Sequence, residues 1–438
     1  MKDNYQQLIE DIFSRHRSVQ DAGFAGDAYK PGLERMTEFD ALLGSPSRRG
    51  RFIHVADTNG KGSVSHMTAA ALAAGGRQVG LYTSPHLMDF RERMKIISAD
   101  GFRMISREDV TAFLQEWGDE IDRMGLSFFE ITTGMALWWF AREHADISVI
   151  ETGLGGRLDS TNIITPEVSV ISSIGLDHCA ILGDSRAAIA AEKAGIFKPG
   201  VPAVIGTRDS ETDAVFIKAA TEKGCPLYWA DGTDCDTALA GRLDLHGEYQ
   251  GINLRTAITA LGLTGTDCRD GHVCNAIAHC ARLTGLHGRW ERLSESPLTI
   301  ADIGHNPPAL ACNFAQLASM MDSREYDRLI MVYGVMADKD IDSIIPMMPE
   351  NAEYIFTTPS TPRAMPAEEI LERFLRIRYG EEYSERGDAS SVSARRRAIA
   401  SGDVRTAVAL ARRLATPRSL IYIGGSAFVV ADILKEGL

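Results

Sequence analysis

The stretch ADTNGKGS, residues 56–63, has the makings of an anion cradle. Gly60, Lys61, Gly62 and Ser63 are small or cationic, and small residues let backbone N–H groups come close to a phosphate. The apolar run RFIHVA precedes this turn and the helical pattern VSHMTAAALAAGG follows it, which is the strand–turn–helix setting a phosphate loop requires. In that setting Lys61 would bond the β- and γ-phosphates, Ser63 would offer its hydroxyl to Mg2+, and Thr58 and Asn59 would join Gly60 and Gly62 around the nucleotide. The strict eight-residue pattern fails, because Val55 stands where that pattern has glycine. Asp57 puts a carboxylate where such loops usually carry glycine. It would either adopt a glycine-like positive φ or cap backbone N–H groups, and in both cases the expectation is that it points away from the phosphates. A glycine-rich turn with a surface lysine is the plainer alternative; the flanking strand and helix favour nucleotide binding.

A second cluster, Cys268, His272, Cys274, His279 and Cys280, invites a zinc reading. Its spacing fits no finger pattern and it sits in the helical stretch GHVCNAIAHCARL, so buried thiols are the expectation. Seven scattered cysteines fit a reducing compartment.

These residues need a scaffold, and the chain is long enough for two cores at 438 residues. A net charge of −13 argues against nucleic-acid and anionic-membrane partners, both of which need a basic face. No apolar run is long enough to span a bilayer, and MKDNYQQLIEDIFSRH lacks the apolar stretch of a signal peptide. Runs 51–56, 78–84, 146–152, 167–175 and 201–207 read as β-branched strands alternating with helical patterns such as TGMALWWFAREH. Such alternation implies a mostly parallel sheet covered on both faces, with ligands at the carboxyl ends of the strands. A second series, PLTIADIG, YDRLIMVYG, AEYIFTT and RSLIYIGG, implies a smaller α/β domain ending in the helix SAFVVADILKEGL. The junction falls near residues 283–293, which gives domains 1–287 and 288–438. The charged run 385–397 reads as a solvated loop or helix face.

The motifs TNGKGS, LYTSPHLMDFRERMKI, ETGLGGRLDSTN, IGLDH and AAEKAGIFKPG occur in order, followed by HGRWE, DIGHNP, GVMADKD and GGSAF. Together they resemble the folylpolyglutamate synthase/dihydrofolate synthase family of the Mur ligase superfamily, and the resemblance runs over nearly the whole chain. It implies an α/β fold: a P-loop-type N-terminal domain like the Mur ligase central domain, with a folate pocket, and a Rossmann-like C-terminal domain that binds glutamate. It also implies an ATP-dependent ligase that joins L-glutamate to a pteroate or folate carboxylate, acting in the cytoplasm as a monomer on small-molecule substrates.

Carried over residue by residue, the resemblance makes Ser63, Ser84, Glu151, His178 and Lys193 ligands of two Mg2+ ions. A carboxylate at a strand's end suits that role; an imidazole is a less expected magnesium ligand, and an ammonium cannot be one. Lys193 is therefore expected to be carbamylated, which replaces its charge with a carboxylate-like group; a solvated helix lysine is the alternative. Asn253, after Gln250, and Arg289 and Asp302 correspond to nucleotide contacts, the last on the ribose; an ordinary Arg–Asp ion pair is the structural alternative. His305 joins Lys61 and Lys193 among the catalytic candidates, although this chain reads Asp-Ile-Gly-His where the family has Asp-Gly-Ala-His. Asp159 and Asn162 are expected to make polar ligand contacts and the neighbouring glycines to let the ligand close, with a turn-rich connector as the alternative. Phe128, Phe129, Thr133 and Arg157 are carried over as pterin or folate contacts, with core packing as the alternative for the aromatics. A monovalent cation is a further family cofactor, without assignable ligands.

The chemistry so implied is γ-phosphoryl transfer to a carboxylate, then attack by the glutamate amine on the acyl phosphate. Another amide ligase of the superfamily, a nucleotide or folate binder made non-catalytic by Asp57, and a P-loop NTPase switch are the rival readings. TSPHLMDFRERM and the Gly-Lys-Gly-Ser loop favour the folate branch, and the second-domain motifs argue against a switch.

Overall fold

The computed structural model describes residues 4–16, 30–233, 237–380 and 397–437. Of the charged run 385–397, only Arg397 is among them. The chain forms two units, Met1–Asp244 with Tyr249–Leu286, and Leu245–Glu248 with His287–Leu438. The excursion Leu245–Glu248 has no counterpart in the sequence reading. It belongs to the second unit because the Gln316 side chain brackets it, accepting from Glu248 N at 2.9 Å and donating to His246 O at 3.0 Å.

The first unit is built on eight strands: β1 (Phe52–Ala56), β2 (Val79–Tyr82), β3 (Met94–Ser98), β4 (Gly101–Met104), β5 (Ile147–Glu151), β6 (Val168–Ile171), β7 (Ala203–Ile205) and β8 (Leu227–Trp229). They lie in the order β4-β3-β2-β5-β1-β6-β7-β8. Only β3 and β4 run antiparallel to their neighbours. Strands β1, β2, β5 and β6 are buried along their whole length, which is why they read as continuous apolar runs. The hairpin of β3 and β4 and the short β8 were not legible, because β4 is a partly exposed edge and β8 offers only three residues. Register pairs Val55 with Glu151 and Ala56 with Ile171, so the carboxyl ends of β5, β1 and β6 lie side by side.

The helix Lys61–Ala74 is buried from Gly62 to Ala73 and is made largely of alanine, serine and glycine. Small side chains on every face let it pack among other elements without a polar stripe. The helix Phe128–Arg142 starts at a reciprocal cap: Ser127 Oγ accepts from Glu130 N at 3.3 Å and Glu130 Oε2 accepts from Ser127 N at 2.7 Å. GHVCNAIAHCARL forms two helices, Gly271–Ala278 and Cys280–Thr284, broken at His279. Of its thiols only Cys280 is buried; Cys268 and Cys274 are partly exposed, so the burial expectation holds for one of three. Among the described residues no three His, Cys, Asp or Glu side chains gather where they could hold a metal ion, and no helix is long and apolar enough to cross a membrane.

The second unit carries six strands: β9 (Glu291–Glu295), β10 (Leu298–Asp302), β11 (Arg328–Tyr333), β12 (Ala352–Thr358), β13 (Ala398–Asp403) and β14 (Ser419–Gly424). Their order is β13-β12-β11-β14-β10-β9, parallel except for β9. Asp302 pairs with Gly424, so the last residues of the central strands are aligned here too.

A buried cation ties the hairpin of the first unit down. Lys95 on β3 donates to Thr284 O at 2.9 Å and Gly285 O at 2.8 Å, carbonyls at the end of a helix, and lies 5.1 Å from the Phe102 ring centroid. Burial pulls its pKa down from 10.5 to about 8. Between those values the unfolded chain binds more protons than the folded one, so this cost is fully present below pH 8 and is relieved as pH rises towards 10.5. The slope is at most about 1.4 kcal/mol per pH unit. We expect the stability difference between wild type and Lys95→Met, taken from urea midpoints at pH 7 to 10.5, to move in favour of wild type across that window. A constant difference would contradict this.

Candidate active site

The phosphate loop forms where the sequence places it. Gly60 has a φ of 119° and sits at the N-cap of Lys61–Ala74 with no side chain capping the helix. The first N–H groups of that helix therefore lack a side-chain cap, which is the arrangement that takes a phosphate. A Cβ on Gly60 would lie closer than 3.0 Å to Asn253 Oδ1, Ser172 Oγ and Asp57 Oδ2. Glycine is required both by the backbone angle and by the crowding.

Asp57 does not imitate glycine: it is absent from the residues with positive φ, and Gly60 makes the left-handed turn instead. Its buried carboxylate turns onto the end of β6. Oδ2 accepts from Ser172 Oγ, and Oδ1 accepts from Ser173 N at 3.0 Å and Ser173 Oγ at 3.1 Å. The Asp57 carbonyl faces the other way and accepts from Lys61 Nζ and Lys193 Nζ, each at 2.7 Å. Lys193, near the end of the helix Arg186–Ala194, is fully buried rather than solvated. Burial, aided by the charge of Lys61, brings its pKa down to about 7, while burial pushes the Asp57 carboxyl up against the pull of both lysines.

Ser63 Oγ accepts from Gln250 Nε2 at 3.1 Å, and Gln250 Oε1 accepts from Asn253 Nδ2 at 2.9 Å. The helix Gln250–Leu263 thus presents the predicted Asn253 at the loop, seated by Gln250. Thr58 is held by Ser173 O and by both backbone groups of Gly175, and Asn59 O takes the Ser173 hydroxyl at 2.7 Å. Glu151 is buried as the last residue of β5, beside Val55 in register. Ser84 lies two residues past β2, and His178, at φ 52°, follows β6 with its Nε2 3.8 Å from the Asp177 carboxylate. The donors Glu151, Ser63 and Ser84 are the oxygen groups a hard divalent cation takes, and the Gly60 turn is shaped for phosphate, so these residues fit metal-bound ATP.

The glycine-rich loop after β5 is arranged differently from expectation. Asp159 accepts from Gly153 N, Leu154 N and Thr161 N at 2.9 to 3.0 Å, and Asn162 Nδ2 donates to Arg157 O and Gly195 O. Both side chains hold the loop itself, a use of Asp and Asn that turn chemistry explains better than ligand contact. A Cβ on Gly156 would meet Glu192 O and Lys193 O at 2.9 Å, so this glycine lets the loop approach the Lys193 helix. Arg157 pairs with Glu192 at 2.8 Å on the outside. Phe128 belongs to the core, 6.1 Å from Phe90, with the Arg93 guanidinium 5.2 Å from its centroid. That correction leaves the partly exposed Phe129, which leans on Tyr82 at 5.8 Å, as the aromatic candidate. Thr133 is buried 3.1 Å from Ser160 Oγ.

In the second unit Asp302 is a hub. Its carboxylate accepts from Trp290 N at 2.8 Å, Gly304 N at 2.7 Å and Asn313 Nδ2 at 2.7 Å. Arg289 donates to Gly288 O at 3.4 Å. His305 Nδ1 donates to Ile303 O at 3.1 Å, just before the helix Pro307–Asp322, which Asn306 caps through Ala309 N. Sequence reasoning missed Ser172, Ser173 and Asn313. The first two were visible as adjacent serines ending the run EVSVISSIG; Asn313 gave no signal.

Fold and site define a Mur-type ligase. Residues 288–427 match the family model described as Mur ligase, glutamate ligase domain. A dihydrofolate synthase/folylpolyglutamate synthase of Bacillus subtilis is 31% identical over 436 residues, covering 93% of this chain and 95% of that protein. The chain belongs to the folylpolyglutamate synthase/dihydrofolate synthase family. A probable bifunctional folylpolyglutamate synthase/dihydropteroate synthase of Haloferax volcanii is 32% identical over 430 residues, covering 92% of this chain and 48% of that protein, so the chain spans about half of that relative. The solved bifunctional folylpolyglutamate synthase/dihydrofolate synthase of Yersinia pestis, complexed with AMPPNP and Mn ion, superposes with a TM-score of 0.80 at 26% identity, covering 100% of this chain and 99% of that one.

Gly60→Ala drives a methyl into three oxygens at a backbone angle that alanine avoids. It is expected to cost about 2 kcal/mol or more of stability and to weaken AMPPNP binding by about a hundredfold. Calorimetry beside thermal melts decides this, and wild-type affinity in the variant would refute the cradle.

Proposed function

We propose that the chain is an ATP-dependent ligase that adds L-glutamate to the carboxylate of dihydropteroate, of tetrahydrofolate, or of both, releasing ADP and phosphate. The observation that carries this reading is the convergence of Lys61 and Lys193 on one carbonyl beside the Gly60 turn, with Ser63 in the first turn of the following helix and Asn253 brought against Gly60 from the helix Gln250–Leu263. Family membership supports the substrates.

The acceptor carboxylate is a poor electrophile, so its oxygen attacks the γ-phosphorus and ADP leaves. The glutamate amine then attacks the carbonyl carbon of the acyl phosphate; phosphate leaves with the bonding pair and the amine gives up a proton. Lys61 neutralises charge on the transferred phosphoryl group, and the N-terminus of Lys61–Ala74 orients it. Family membership suggests nucleotide-binding roles for Arg289 and Asp302 and a positioning role for His305.

Two Mg2+ ions, when bound, supply charge neutralisation to the phosphates. Ser63, Ser84, Glu151 and His178 would hold them, with Lys193 as a carbamate. The neutral Lys193 amine attacks CO2, a C–N bond forms, and the proton passes to solvent. A pKa of about 7 keeps a large share of that amine neutral near pH 7, which an ordinary lysine does not.

The binder reading rested on Asp57 repelling phosphate. With its carboxylate on Ser172 and Ser173, that reason falls away.

Pure protein with MgATP, L-glutamate and either acceptor is expected to yield the glutamyl product by mass, with ADP release requiring all three substrates. Lys193→Ala should lose at least about a hundredfold in kcat, and CO2-depleted buffer should lower wild-type activity until bicarbonate is restored. ADP release without acid or amine would instead mark an NTPase.

A further inference from the structure

We propose that Asp57 is a positioning residue whose carboxylate fastens the segment running from β6 to His178 onto the phosphate loop before any nucleotide binds. This rests on the ligase reading only in taking His178 as a metal ligand.

The argument is geometric. The Asp57 carboxylate carries three hydrogen bonds from Ser172 and Ser173, one of them from the Ser173 backbone N–H. The Asp57 backbone carbonyl carries Lys61 and Lys193. One residue therefore sets both the loop that leads to His178 and the two lysines, Lys61 of the phosphate loop and the metal-ligand candidate Lys193. If the side chain let go, the Thr58 N–H bond to Ser173 O would be the peptide's remaining tie to the end of β6, and the common acceptor of both lysines would be less firmly set. The neighbouring residues pull the same way: Thr58 N donates to Ser173 O at 3.1 Å, Thr58 Oγ1 accepts from Gly175 N at 3.1 Å, and Asn59 O shares the two serine hydroxyl protons with the Asp57 carboxylate. Asp57 Oδ2 and Ser172 Oγ also flank the spot where Gly60 tolerates no Cβ. A glycine at position 57 would make none of the carboxylate bonds and would loosen the backbone as well. The segment would then have to be ordered by ligand rather than in advance of it.

The sign of the effect separates positioning from charge. If the carboxylate faced the phosphates, removing it would tighten ATP binding; if it positions, removal weakens binding. We expect Asp57→Gly to speed amide exchange at Gly175–His178 in the nucleotide-free protein by about tenfold or more. It should weaken AMPPNP binding by about tenfold, and by more with Mg2+ than in EDTA, because the loosened segment carries His178. A general loss of packing would lower both affinities alike. Asp57→Asn should retain most of the affinity, since its Oδ1 still accepts from Ser173 N and the Ser172 hydroxyl can turn to accept from the amide. The double variant Ser172→Ala/Ser173→Ala should resemble Asp57→Gly, and adding Asp57→Gly to it should cost little more. Unchanged exchange, additive losses, equal losses with and without Mg2+, or tighter nucleotide binding in both Asp57 variants would each overturn the proposal. Exchange is read without nucleotide or substrate, so a wild type that forms no glutamyl product refutes the ligase reading and leaves this test decisive.

Discussion

Two ammonium groups meeting on the carbonyl of Asp57 are the constraint around which the rest of the first unit is arranged. Like charges at such a separation repel, and one of the pair is fully buried. A single carbonyl dipole does not offset that, so the site requires negative charge nearby. Part of it is present as the Asp57 carboxylate, whose attraction opposes the burial that drains the Lys193 charge. The remainder is what a triphosphate or a carbamate would bring. A site with Lys61 on the phosphate loop and a neutralisable buried lysine beside it is prepared for an anion in a way that a neutral loop is not.

The fold serves that constraint through register. Because β1 pairs with β5 on one side and β6 on the other, Asp57, Glu151 with Thr152, and Ser172 with Ser173 leave the sheet side by side. No side chain needs to reach far, and each is set by a strand that is itself buried. The helix of small residues Lys61–Ala74 adds to this: its packing brings Ser63 within reach of Gln250 on the helix Gln250–Leu263, so residues nearly two hundred positions apart share a hydrogen bond. In the second unit the same strand-end geometry is used for cohesion, with Asp302 gathering three donors around the start of the helix Pro307–Asp322.

What was legible in the sequence follows from the range of the forces involved. Central strands announced themselves because both faces are buried, and the phosphate loop because a glycine turn between strand and helix is a local pattern. The edge strands β4 and β9 were hidden: half-exposed strands have weak periodicity, and their pairing is decided by partners elsewhere. Lys193 was legible as a candidate through resemblance, but its burial was not, since a lysine is ordinarily solvated and only its place four residues after the buried Ile189 puts it on the packed face. Asp159 and Asn162 left two readings open for the opposite reason. Their residue types suit ligand contact and turn capping equally, and only the neighbouring N–H groups reveal that they cap.

Asp57 shows how far residue type alone can mislead at a phosphate loop. A carboxylate there is costly if solvent is excluded and phosphate is its nearest neighbour. Neither condition is absolute, because a buried carboxylate is tolerated when hydrogen bonds to N–H and O–H groups replace its hydration. Ser172 and Ser173 supply those groups from the adjacent strand end, and they can do so only because β6 lies next to β1. The residue at position 57 and the pair at 172–173 therefore form one physical unit split across 115 positions. An isolated eight-residue motif records half of it, and the parallel pairing of two strands supplies the other half.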